Sequence, residues 1–136
     1  MTEMYQIKFV GLLAALLLFA GCADDGRPPR YPVSGTLKLK DGTSLEDVTV
    51  LFRSIDGDQT ARARVLTDGT FRLTTFDKYD GAVAGAHRVQ VMPMRNPDGS
   101  FVIPVHPKYL NYIKSKLQYE VKPEEDNHFD IVIELR

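Results

Sequence analysis

The sequence predicts an all-β domain, a seven-stranded antiparallel sandwich, behind an N-terminal leader. Three observations predict it. From Pro32 onward the apolar residues recur with period 2, not 3.6. The alternating segments are short and are separated by Asp-Gly, Gly and Lys-Pro turns. Each segment has one apolar face, which a second sheet must cover.

The elements follow in chain order. Leu37 and Leu39 alternate with Lys38 and Lys40, and Asp41-Gly42 turns the chain. Val48, Val50 and Phe52 form the next inward set, closed by Asp56-Gly57. Ala63 and Val65, then Phe71 and Leu73, flank Asp68-Gly69. Val89 and Val91 follow Asp80-Gly81 and Gly85. Leu117, Tyr119 and Val121 precede Lys122-Pro123, and Phe129, Ile131, Ile133 and Leu135 complete the inward set. The hydroxyl of an inward Tyr119 needs a partner or the sandwich edge. At Asp68-Gly69 a two-residue loop would set Val65 opposite outward Arg72, mixing faces. A three-residue loop, Thr67 to Gly69, pairs Val65 with Phe71 and Ala63 with Leu73, with Gly69 left-handed. That register sets Arg64 opposite Arg72 on the outer face.

The N-terminal part reads differently. Phe9 to Ala20 is an uncharged apolar run of 12 residues. A bilayer-spanning helix needs about 20, whereas the apolar core of a signal peptide needs about 7–15. Phe19-Ala20-Gly21-Cys22 follows, and Cys22 is the only cysteine in 136 residues. No internal disulfide can form. These residues resemble the lipobox of bacterial lipoproteins, with Phe19 where Leu is usual. The resemblance implies cleavage before Cys22, a diacylglycerol on its thiol and acylation of its new amine. A plain secretory signal or a buried helix would also accommodate the apolar run. The segments expected are thus 1–21 signal peptide, 22–31 lipidated cysteine and tether, and 32–136 sandwich. The stretch ADDGRPPRY, Ala23 to Tyr31, has no apolar period and spans about 30 Å at most. The folded part is expected to stay close to the membrane. Ala23 in place of an acidic residue points to the outer rather than the inner membrane.

Three stretches of the folded part also resemble a family. They are Asp41-Gly42-x-x-Leu45-x-x-Val48-x-Val50-x-Phe52, Thr67-Asp68-Gly69-x-Phe71-x-Leu73 and Gly85-x-His87-x-Val89-x-Val91. With the ending Val121-Lys122-Pro123-Glu124-x-x-Asn127-x-Phe129-x-Ile131, they are similar to transthyretin-like, carboxypeptidase-regulatory-like domains of the Ig-like prealbumin type. The resemblance covers Pro32 to Arg136 and implies the fold, not a site. Asp47 stands where glycine is usual in that family, and the Asp68-Gly69 loop is short. A relative of similar fold, hydroxyisourate hydrolase, ends in Tyr-Arg-Gly-Ser; this chain ends Ile-Val-Ile-Glu-Leu-Arg.

Chemistry-bearing residues are sparse. Net charge is −1, so no global field favours nucleic acid. His87, His106 and His128 lack metal-ligand spacing, and no cofactor motif is present. Asp56-Gly57-Asp58 is too short for a calcium loop. Two candidate ligand sites remain. Arg62, Arg64 and Arg72 share one outer face in the register above, and like charges directly opposite are unfavourable. An anionic ligand, a partner's carboxylate or a nearby Asp would offset them. Met92 to Lys116 is a long connection with Pro93, Pro97, Pro104 and Pro107, and with Phe101, Lys108, Tyr109 and Tyr112. Such residues stack on sugars or meet an acidic partner. The other reading is a structural crossover, with Tyr109 and Ile113 covering an open end of the sandwich. The expected function is a non-catalytic, lipid-anchored binding or structural module of the bacterial envelope, its partners the membrane and an envelope protein or glycan. The alternatives are a carbohydrate-binding module and a hydrolase of the hydroxyisourate type.

Overall fold

The computed structural model describes residues 26–136; Cys22 and the signal peptide expected over residues 1–21 lie outside the described residues. Nine strands run in chain order: β1 (Arg30–Tyr31), β2 (Val33–Leu39), β3 (Val48–Ser54), β4 (Thr60–Arg64), β5 (Thr70–Arg72), β6 (Ala82–Val83), β7 (Gly85–Pro93), β8 (Gln118–Val121) and β9 (Asn127–Ile133). No α-helix occurs among the described residues; a 3-10 turn spans Pro107–Leu110. The sheets are β5-β2-β9, β4-β3-β7-β8 and the short pair β1-β6.

Alternation drives the packing. On β3, Val48, Val50 and Phe52 are buried, while Thr49, Leu51 and Arg53 point the other way. On β7, His87, Val89 and Val91 are buried in the same manner. The valines and Phe52 of these strands meet Leu37, Phe71, Ile131 and Ile133 of the three-stranded sheet in one hydrophobic cluster. Phe52 sits among aromatic neighbours, 6.2 Å from Phe71 and 5.9 Å from both Tyr119 and Phe129, ring centre to ring centre. Each fully buried side chain of this size contributes roughly 1.5–3 kcal/mol. Tyr119 lies on the edge strand β8 and is half-buried, so its hydroxyl reaches the margin of the core.

Four expectations are corrected. First, the sheets are not wholly antiparallel: β2 and β9 pair in parallel, Val33 with Asn127 through Leu39 with Ile133. Period 2 assigns faces but not strand direction, and no hairpin turn links two strands so far apart in sequence. Second, β4 and β5 belong to different sheets. The three-residue register survives at both ends of the expected hairpin. Leu66 N–H donates to Thr70 O at 2.9 Å, and Arg62 and Thr74 exchange two bonds of 2.9 Å. Between them, Arg64 and Arg72 make no ladder pair; β5 instead pairs with β2, placing Arg72 beside Ser34. Third, Leu135 is not core: β9 ends at Ile133, and Leu135 is 38% exposed. Fourth, Arg30 and Tyr31, read as tether, form β1 against Val83 and Ala82. Asp80 secures that junction, accepting from Arg30 Nε at 3.1 Å and from the N–H groups of Thr75, Phe76 and Asp77.

Candidate functional site

The split between β4 and β5 opens a cleft of about 550 Å³. Its lining includes buried Ala63 and Phe71, with Arg62, Arg64, Arg72 and Tyr79 around them. Arg64 Nη2 donates to Asp47 Oδ1 at 2.6 Å. Asp47 reaches it from a left-handed backbone, φ +58°. The Arg72 guanidinium lies 4.4 Å from the centre of the Tyr79 ring and has no ion pair among the described residues. Arg62 has neither an ion pair nor a side-chain hydrogen bond among them. The like-charged pair read from the sequence is thus relieved in two ways: a carboxylate takes Arg64, and the ladder opens between Arg64 and Arg72.

The 94–117 crossover separates the remaining candidates. Tyr109 is only 5% exposed and packs into the core, with the His106 ring edge-on to it. It therefore offers no face for sugar stacking. Lys108 forms an ion pair with Glu134 and lies 5.0 Å from the Tyr109 ring centre. The two lysines beside it, Lys108 first and Lys40 second, hold the Glu134 carboxyl down to about 2. The Arg95 guanidinium lies over the Phe101 ring, 4.4 Å from its centre. Ile113, expected to cover the sandwich end, is 70% exposed. Gln90 Nε2, donating to Leu110 O at 2.6 Å, and Ser115 Oγ, donating to Val89 O at 2.6 Å, pin the crossover across β7.

Of the five ligand candidates, only Tyr112 lines a second cleft, of about 330 Å³, with Arg53, Ser54, Ile55, Arg88, Asn111 and Ile113. Arg53 and Arg88 are directly opposed on β3 and β7. The Arg53 guanidinium lies 5.8 Å from the Tyr112 ring centre. Sequence reading missed these arginines. Each stands at an outward position of its own strand, and only the β3–β7 register makes them neighbours. Their outward parity was legible; their pairing was not.

The histidines lie apart. His87 is buried against Phe52, its Nδ1 2.9 Å from Gly85 O, and burial lowers its pKa. His106 accepts from Lys108 N–H at 3.2 Å. His128 forms the most catalytic-looking group in the domain: Nδ1 is 3.2 Å from Ser34 Oγ and Nε2 is 2.9 Å from Asp130 Oδ1. A serine nucleophile also needs donors for a developing oxyanion. Ser34 lies in β2, the central strand of its sheet, bonded on both sides by β5 and β9. Its backbone neighbourhood is committed to ladders, and His128 and Asp130 are exposed on a sheet surface. The group is a cross-strand hydrogen-bond ladder, joined by Thr36 Oγ1 donating to Asp130 Oδ1 at 2.7 Å.

Comparison of the chain with protein-family models, curated proteins and solved structures gives no match.

Proposed function

We propose that this chain is a lipid-anchored, non-catalytic lipoprotein of the bacterial envelope, whose transthyretin-like sandwich, formed by the seven strands of the two larger sheets, is a binding module. The observation that carries the binding reading is the pair of arginine-lined clefts. One lies at the β4–β5 seam and the other beneath Tyr112. Basic and aromatic groups gather at both clefts, whereas the three histidines lie apart and, among the described residues, no arginine shares a side-chain hydrogen bond with any of them. That separation weighs against a hydrolase of the hydroxyisourate type. The burial of Tyr109 weighs against a flat aromatic platform for carbohydrate.

The anchor rests on Cys22 and the lipobox-like residues before it. Only seven residues separate Cys22 from β1 at Arg30, a reach of about 25 Å when extended. The module would sit against the membrane, the outer one in this reading, facing an envelope glycan or protein. Two or three acyl chains would hold it stably, where one would not. Cys22→Ser is expected to move the protein from the membrane pellet to the soluble fraction. Retention of the variant in salt-washed membranes would remove the anchor from the proposal.

A further inference from the structure

We propose that the cleft formed by Arg53, Arg88, Asn111 and Tyr112 is a binding site for an acidic sugar, its carboxylate or phosphate held between the two guanidinium groups. This deepens the reading of the domain as a binding module and rests on it.

The inference starts from register. Ile55 N–H donates to Ala86 O at 3.0 Å, and the same alternation makes Arg53 and Arg88 a hydrogen-bonded pair of β3 and β7. The Cα atoms of such pairs lie about 5.5 Å apart, and their side chains leave the sheet on one face. Both arginines are exposed, and neither has an ion pair or side-chain hydrogen bond among the described residues. Arg64 on the same sheet face contrasts with them, because Asp47 neutralises it.

Repulsion between exposed charges is weak in water, so charge alone does not define a site. The surroundings do. Tyr112 places its ring beside Arg53 and is itself partly desolvated. Asn111 spends its Oδ1 on the N–H groups of Ile113 and Lys114, both at 2.9 Å. Its Nδ2 makes no hydrogen bond among the described residues and remains a donor at the cleft lining. The cleft of about 330 Å³ also carries the apolar side chains of Ile55 and Ile113. Two planar guanidiniums suit an oxyanion, which they grip through paired N–H donors. An amide donor, a phenol and two aliphatic side chains suit the hydroxyls and the apolar face of one ring. The crossover supplies Asn111, Tyr112 and Ile113 and is held down by Gln90 and Ser115, so the site is largely preformed.

The test is amide NMR of the ¹⁵N-labelled full chain in zwitterionic micelles, titrated with glucuronate, glucose 6-phosphate or glucose. Saturable shifts at residues 53, 88 and 111–113 are expected with one or both acids and not with glucose. The acid that binds more tightly identifies carboxylate or phosphate as the natural group. Arg88→Gln should weaken that binding about tenfold while leaving signals elsewhere unchanged, and Arg62→Gln in the seam cleft should leave it intact. No saturable shift with either acid, equal response to glucose, shifts centred on Arg62 and Arg72, or undiminished binding by Arg88→Gln would each overturn the proposal. Fractionation of the Cys22→Ser variant reads the anchor separately, so loss of this site and loss of the anchor are told apart.

Discussion

The β2–β9 pair and the β4-β3-β7 strands carry opposite kinds of outer surface. Along the β2–β9 pair the polar side chains satisfy one another: Ser34 with His128, Thr36 with Asp130, and Lys40 with Glu134 at 3.1 Å. Across β4, β3 and β7 the corresponding face presents Arg53, Arg62, Arg64 and Arg88, of which only Arg64 has a carboxylate partner among the described residues. Both sheets bury their other face in one core. The difference therefore says nothing about folding and a good deal about use. A surface whose donors and acceptors are already matched gains little from a ligand. A surface of unmatched guanidiniums gains the charge-assisted hydrogen bonds that it lacks.

The largest expected effect breaks the matched sheet from within. A Cβ at Gly35 would stand 2.3 Å from Phe129 O and 2.4 Å from the Phe71 ring. Gly35→Ala should cost about 3 kcal/mol or more in denaturant unfolding, because both backbone and ring must shift. An unchanged midpoint would mean that β2 is not clamped between its neighbours as described. Next comes the ladder itself. Thr36→Val should lower stability by about 0.5–1 kcal/mol, because it removes the hydroxyl that Asp130 accepts.

Acid probes the same face. The carboxyl of Glu134 is held down to about 2 by Lys108 and Lys40. A lowered folded value contributes stability above the unfolded carboxylate range, near 4.5. That contribution is lost as pH falls through about 4.5 toward 2. Glu134→Gln should start lower at neutral pH and show a shallower acid loss over that window. A variant with the same slope as the parent would sever the link to Glu134.

The smallest effect belongs to the unmatched face. Arg88→Thr removes a like charge opposite Arg53 and inserts a strand-favouring residue, so stability should rise or hold within about 0.5 kcal/mol. A clear loss in the ligand-free protein would show that Arg88 already has a stabilising partner, and the contrast between the faces would narrow.

Much of the core was legible residue by residue. Val48, Val50, Phe52, Phe71, Leu73, Val89, Val91, Ile131 and Ile133 were all read as inward and are buried. The exception, Leu135, lies past the end of β9, where the chain leaves the β2 ladder and bridges to Val105 of the crossover instead. The Thr67–Gly69 loop was read in the correct register, yet the strands it joins serve different sheets. Local spacing sets which residues face each other across a turn, but β2 competes for β5 from outside that window. The candidate site fared less well. Arg64 and Arg72 do share a cleft, while Tyr109 and Lys108 are taken by the core and by Glu134. A tyrosine in a proline-rich stretch looks the same in sequence whether it covers a core or stands free.

What the amino-acid order determined by itself is parity: which side chains turn inward, and where the turns interrupt them. The 2-residue repeat of extended chain reads directly from residue to face. Which strands become neighbours, in which direction, was left to the packing of distant segments. That is why β2 beside β9 and Arg53 beside Arg88 emerged only from the folded chain: cross-strand adjacency is a property of the sheet, not of either strand.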